Sequence, residues 1–228
     1  TIDYFVGDDG QLLARERYDN DTNVHRVESL IDDEWHTIYQ ETAKIRTKGF
    51  YGVSPDRKHL VMRAFNTDTD RWAYYTLALA DGKVGEPIFS RGDRDVESVL
   101  TDVNRVVYGV RYSGFTPSYE FFDAKLNARM RGINKALPNN AIRIQDYTPD
   151  WSRIVLYMDG EQSSGDYLLY ENGGLTALTT QRPDIPPQAV HSVKQVNFEA
   201  RDGLTIPTLL TVPNGQKMQN LPTVVLPH

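Results

Sequence analysis

The side chains that could carry chemistry are present in this sequence, but not in the groupings that chemistry needs. His25, His36, His59 and His191 are scattered, with no His-x₃-His or His-Glu pair among them. They lack the spacing of a metal-ligand set and read as structural or surface groups. Cysteine is absent, which excludes thiolate zinc sites, disulfides and cysteine nucleophiles together. A serine nucleophile on a strand-to-helix elbow needs Gly-x-Ser-x-Gly, because only small flanking residues permit so sharp a turn. The sequence has no such element, and Ser163-Ser164-Gly165 lacks the leading glycine. Asp19-Asn20-Asp21-Thr22-Asn23 and Asn66-Thr67-Asp68-Thr69-Asp70 look like the front half of a calcium loop. Where that loop requires a glycine and then a bidentate glutamate they hold Val24 and Leu30, and Arg71 and Leu77. Turns closed by Asx side chains explain both segments. Arg63 and Arg111 stand at matching ends of predicted strands. Each carries the planar fork that holds a carboxylate through two parallel bonds, although a solvated strand-end arginine is the simpler reading. Tyr4, Tyr39, Tyr51, Tyr74, Tyr75, Tyr108 and Tyr112 suit sheet packing better than a carbohydrate platform. The residues therefore nominate no catalytic, metal-binding or cofactor-binding position.

Composition narrows the class. The 228 residues carry 25 Lys+Arg against 31 Asp+Glu, a formal charge of −6. A chain of this length forms one large domain, or one domain with part of another. No run approaches the ~18 apolar residues of a membrane-spanning helix. An acidic chain without a Lys/Arg run is a poor nucleic-acid binder, since that affinity rests on phosphate neutralisation. The absence of cysteine leaves the compartment open between periplasm and cytoplasm.

The elements that must position these side chains are repeated. Ser54-Pro55-Asp56-Arg57-Lys58-His59-Leu60-Val61-Met62 has a counterpart in Thr148-Pro149-Asp150-Trp151-Ser152-Arg153-Ile154-Val155-Leu156. Looser copies begin at Thr101-Asp102-Val103-Asn104-Arg105 and Asp8-Asp9-Gly10. The first apolar residue after each turn is Leu12, Leu60, Val106 and Ile154, at separations of 48, 46 and 48 residues. Such a period suits a four-stranded propeller blade. Alternating segments bounded by turn residues place four strands in the first unit, Ile2–Val6, Leu12–Tyr18, Val24–Ile31 and His36–Gln40. The second has Phe50–Val53, Leu60–Phe65, Trp72–Leu79 and Val84–Phe89, and the fourth Ile142–Tyr147, Ile154–Met158, Tyr167–Glu171 and Leu175–Leu178. The third is degenerate after its first hairpin, with Tyr119–Phe122 and Ala128–Ile133 as its last strands. No amphipathic helix of three turns is expected. Residues 1–181 thus read as all-β, a partial β-propeller of about four blades of four antiparallel strands.

After residue 181 the character changes. Residues 182–192, with Arg182-Pro183-Asp184-Ile185-Pro186-Pro187, form a stiff extended linker. Val193–Ala200 and Leu204–Val212 flank an Arg201-Asp202-Gly203 turn as a hairpin, and Pro222-Thr223-Val224-Val225-Leu226 is a continuous apolar run. Such a run suits a strand buried on both faces of an α/β sheet. Residues 193–228 accordingly read as the start of a second domain, and the chain as a fragment.

Val196-Asn197-Phe198-Glu199-Ala200-Arg201-Asp202-Gly203-Leu204-Thr205-Ile206-Pro207, followed by Leu221-Pro222-Thr223-Val224-Val225-Leu226-Pro227-His228, resembles the propeller-to-hydrolase junction of the prolyl oligopeptidase family. It is most similar to the acylaminoacyl-peptidase and dipeptidyl-peptidase-like branch. The resemblance implies an α/β-hydrolase domain opening at the hairpin, with the apolar strand leading into a His-Gly-Gly-Pro element of which His228 would be the histidine, not the triad histidine. It implies a parent serine peptidase that cleaves short peptides by acyl transfer, without cofactor, while the propeller gates entry. The triad would lie beyond Leu226, so no catalytic residue is carried over and this piece by itself is expected to be inactive. The rival reading is a non-enzymatic propeller serving as a protein-interaction module, for which the Arg-Asp-Gly hairpin and apolar strand have no evident use. Blades taken from a larger ring leave exposed edges, so a homodimer or strand exchange is expected.

Overall fold

The computed structural model describes residues 1–160 and 163–226. The chain divides into two compact units, Thr1–Gly132 and Ile133–His228. The first opens with β1 (Asp3–Val6), β2 (Leu12–Asp19), β3 (Val24–Ile31) and β4 (Glu34–Thr42), then β5 (Gly49–Val53), β6 (His59–Asn66), β7 (Arg71–Ala78) and β8 (Val84–Phe89). Each set forms a four-stranded antiparallel meander in chain order. A three-stranded sheet of β9 (Val96–Thr101), β10 (Val107–Tyr112) and β11 (Ser118–Phe121) follows.

The second sheet is covered on both faces, which explains why His59-Leu60-Val61-Met62-Arg63-Ala64 is nearly continuous in apolar residues. Successive strand side chains point to opposite sides. Leu60, Met62 and Leu77 pack with Phe5, Ala14 and Val27 of the first sheet. Val61 and Tyr74 pack with Val107, Val110 and Tyr112 of the third. Face-to-face stacking of twisted four-stranded sheets is the arrangement expected of neighbouring propeller blades.

The repeated turns each join the first two strands of a sheet. Asp56, Asp102 and Asp150 each accept backbone N–H bonds from residues two further on, at 3.0, 2.9 and 3.0 Å. Each turn also holds one left-handed residue: Gly10 at φ 79°, Arg57 and Arg105 at 59°, Trp151 at 57°. In two copies it is an arginine that reaches back across the sheet boundary. Arg57 donates to the Val6 carbonyl at 3.2 Å and pairs with Asp8. Arg105 donates to the carbonyls of Phe50 and Tyr51, both at 3.1 Å, and pairs with Asp3. The Val53 N–H donates to the Arg105 carbonyl at 2.9 Å. That carbonyl would lie 2.0 Å from a β-carbon at position 52, so Gly52 is required there.

In the second unit β12 (Asn140–Tyr147), β13 (Arg153–Gly160), β14 (Ser163–Glu171) and β15 (Gly174–Thr180) form another antiparallel meander in chain order. Beyond a single 3-10 turn at Pro187–Ala189, β16 (Val193–Glu199) and β17 (Thr205–Thr211) pair as the expected hairpin. Gly203 at φ 84° and the Asp202 carboxylate close its turn. Every residue of β16 is exposed.

Two expectations are corrected. Ala128–Ile133 is not a strand: it lies inside α1 (Ala124–Ala136), a helix of 13 residues. Asp123 caps it by accepting from the Lys125 N–H at 2.6 Å, and Leu126, Met130 and Ile133 form its buried stripe. The third sheet accordingly has three strands, with a helix in the place of the fourth. Thr223–Leu226 is also not a strand, and Val224, Val225 and Leu226 are about four-fifths exposed. A strand needs a hydrogen-bonded neighbour, and none of the described residues supplies one. The α/β-hydrolase portion is therefore not seen, and His228 lies outside the described residues.

A candidate peptide-binding groove

One buried charge cluster shapes the surface nearest to a site. Glu16 on β2, His25 on β3 and Glu41 on β4 meet where the strands run side by side. His25, wholly buried, places Nε2 2.8 Å from Glu16 and Nδ1 3.1 Å from Glu41. Carboxylates only accept, so both ring nitrogens must donate and the ring is an imidazolium. Burial opposes that charge, but the two carboxylates outweigh it and raise the His25 pKa. Burial likewise works to raise Glu41, and is outweighed by bonds from Thr47 and His25 that bring it down to about 2. Arg46 donates to Glu16 at 2.8 Å, making two cations and two anions in all. His25 is thus enclosed between two carboxylates, and these partners on adjacent strands carry no sequence signal.

The cluster holds the loop between the first two sheets. Arg46 bonds Glu16, while the Thr47 N–H donates to Glu41 at 2.9 Å and its hydroxyl bonds the same carboxylate. The loop thereby becomes one wall of an open groove of about 290 Å³, lined by Ile45, Arg46, Lys48, Tyr51, Arg63 and Trp72 among others. Arg63, on β6, lies over the Trp72 ring with its guanidinium carbon 4.3 Å from the centroid, a cation–π contact. Tyr51 packs edge-on against buried Tyr74, centroids 5.3 Å apart. Burial and the neighbouring Tyr51 push the Tyr74 phenol up, with the Arg63 charge opposing. Among the described residues, Arg63 forms no ion pair, and Lys48 bonds only the Thr47 hydroxyl, at 3.1 Å.

The other candidates are accounted for differently. Arg111 pairs with Glu97 at 3.2 Å, so its charge is already matched. Asp19 accepts from the N–H groups of Asp21 and Thr22 at 2.9 and 3.2 Å, and Asn66 from that of Asp68 at 2.9 Å. Both acid-rich segments are therefore Asx-closed turns. His59 leans on Asp56 at 3.5 Å in its own turn. Ser163 donates to the Asp166 carboxylate at 2.6 Å and lies on β14 rather than on an elbow.

No protein-family model matches the sequence, and no curated protein sequence matches it. Solved structures do. Prolyl oligopeptidase B from Galerina marginata, in a structure with a 35mer hydrolysis and macrocyclization substrate, matches at 15% identity with a TM-score of 0.55 over 93% of this chain. Weaker likenesses are to oligopeptidase B from Leishmania major (11%, TM-score 0.49, 90% of this chain) and acylaminoacyl peptidase from Pyrococcus horikoshii (14%, 0.45, 86%). The chain spans 30%, 32% and 29% of those proteins' lengths. The antiparallel meanders correspond to the propeller portion of the Galerina marginata peptidase. The chain therefore has the fold of a propeller segment of the prolyl oligopeptidase type.

Proposed function

We propose that this chain is the substrate-gating propeller portion of a serine peptidase that cleaves short peptides by acyl transfer. The observation that carries this reading is the match of 93% of the chain to a propeller segment of a prolyl oligopeptidase. The Arg201-Asp202-Gly203 hairpin, where the family passes from propeller to hydrolase, supports it independently. In such an enzyme a serine supplies the nucleophile, a histidine the base, and backbone N–H groups the oxyanion hole, so neither metal nor cofactor is required. This segment contributes none of these groups. Its part is steric: a ring of stacked sheets admits a flexible peptide and turns away a folded protein.

Fluorophosphonate labelling of the longer polypeptide and of this 228-residue chain tests the reading. Labelling of the former alone is the expected result. If neither reacts, the peptidase reading fails and a propeller used for protein interaction takes its place. If this chain reacts by itself, a nucleophile resides here and the division of labour is wrong.

A further inference from the structure

We propose that the groove between the loop at 43–48 and the second sheet is a binding site for a peptide carboxylate, with Arg63 and Lys48 holding the charge and the Trp72 shelf holding the adjoining apolar side chain. The inference deepens the peptidase reading by naming a substrate feature, but it stands on this groove alone. Cations gather here in a chain whose net charge is −6. Arg46 is neutralised by Glu16, whereas Arg63 has no anionic partner among the described residues and Lys48 meets only a hydroxyl. An arginine held over an indole and without an ion-pair partner has its N–H fork free for a planar, two-oxygen anion.

The groove favours carboxylate over phosphate. Phosphate sites are built from converging backbone N–H groups, yet here the Thr47 N–H is already given to Glu41. The rim is also apolar: Ile45 is 84% exposed, Phe65 46% and Trp72 39%, with Phe65 set edge-on to Trp72 at 5.7 Å. A charged floor beside an apolar shelf fits a carboxylate attached to a hydrophobic residue, as at the end of a peptide. The loop is preset by the His25 cluster, so little ordering is needed on binding.

Titration calorimetry on this chain tests the proposal, with an acetylated tripeptide ending in a free leucine carboxylate as the probe and its C-terminal amide as the control. The amide should bind about tenfold more weakly or worse. Arg63→Ala should weaken the free acid by a similar factor, and Arg63→Lys, which keeps charge but loses the fork, by less. Lys48→Met supplies a second test should Arg63→Ala fail to fold, since Lys48 makes no ion pair. An amidated peptide with an internal glutamate locates the carboxylate: equal binding assigns it to a side chain, weaker binding to the C-terminus, and both uphold the site. Equal binding of acid and amide, unchanged affinity in both variants, or displacement by inorganic phosphate at lower concentration than by acetate would overturn it. Failure here leaves the labelling experiment untouched, and an unlabelled parent leaves the groove standing.

Discussion

Replacing His25 by leucine removes the centre of the buried charge cluster while filling its volume. Two charge-assisted hydrogen bonds disappear, each worth about 1.5–3 kcal/mol. Glu16 keeps Arg46 and Glu41 keeps Thr47, so neither carboxylate is abandoned and the net loss falls toward the low end, about 3 kcal/mol. At roughly 2–4 °C per kcal/mol for a chain of this size, the melting temperature should fall by about 6–12 °C. The dependence on pH is the sharper test. The His25 pKa is raised on folding, so its contribution is full below its ordinary value near 6.5 and is lost as pH rises through the raised value. Glu41 is lowered to about 2, so its contribution is full above its ordinary value and is lost as pH falls toward 2. The stability gap between wild type and H25L should therefore be widest at about pH 5–6 and close on the alkaline side. Thermal melts followed by circular dichroism at stepped pH measure it. A gap that stays constant from about pH 5 to 9 would refute the imidazolium assignment and with it the clamp on the groove loop.

The inter-sheet latch yields two further expectations, and the β16–β17 hairpin a third. Arg105→Ala should cost about 2–3 kcal/mol through its lost carbonyl and Asp3 contacts, and Arg105→Gly should recover about 1 kcal/mol of that, because glycine accepts the left-handed φ of 59°; urea titration of both variants checks the order. Gly52→Ala places a methyl 2.0 Å from the Arg105 carbonyl and should destabilise by about 3 kcal/mol in the same titration. The hairpin exposes Phe198, Val196 and Leu209, and with the open sheet edges this predicts self-association. Sedimentation velocity should show a dimer, and a compact monomer at high concentration would count against it.

The repeat was legible because its signals are local. Alternation marks a strand, and Asp, Asn, Pro and Gly mark a turn, whatever surrounds them. The Arg201-Asp202-Gly203 hairpin was readable for the same reason. What failed depended on competing periods: Ala128–Ile133 alternates loosely enough to pass as a strand, but Asp123 before a Leu126, Met130, Ile133 stripe is a helix signature that outweighs it. Val224–Leu226 has the composition of a buried strand, and composition cannot supply a neighbour. The groove was only half legible. Arg63 could be singled out as a carboxylate fork, yet Lys48 and Trp72 come from other segments and meet it only through the pairing of β5, β6 and β7. Arg57 and Arg105 were visible as repeat positions, while their left-handed backbone and reach to the preceding sheet are properties of the packed structure.

The proposal that this chain gates a peptidase is tested most directly by the length of peptide the longer polypeptide hydrolyses. A ladder of peptides of increasing length, assayed by mass spectrometry, should show a sharp upper limit for the wild type. Loosening the latch with Arg57→Ala and Arg105→Ala together should move that limit upward while leaving hydrolysis of the shortest peptides unchanged. An unaltered limit, or no hydrolysis at any length, would contradict the account.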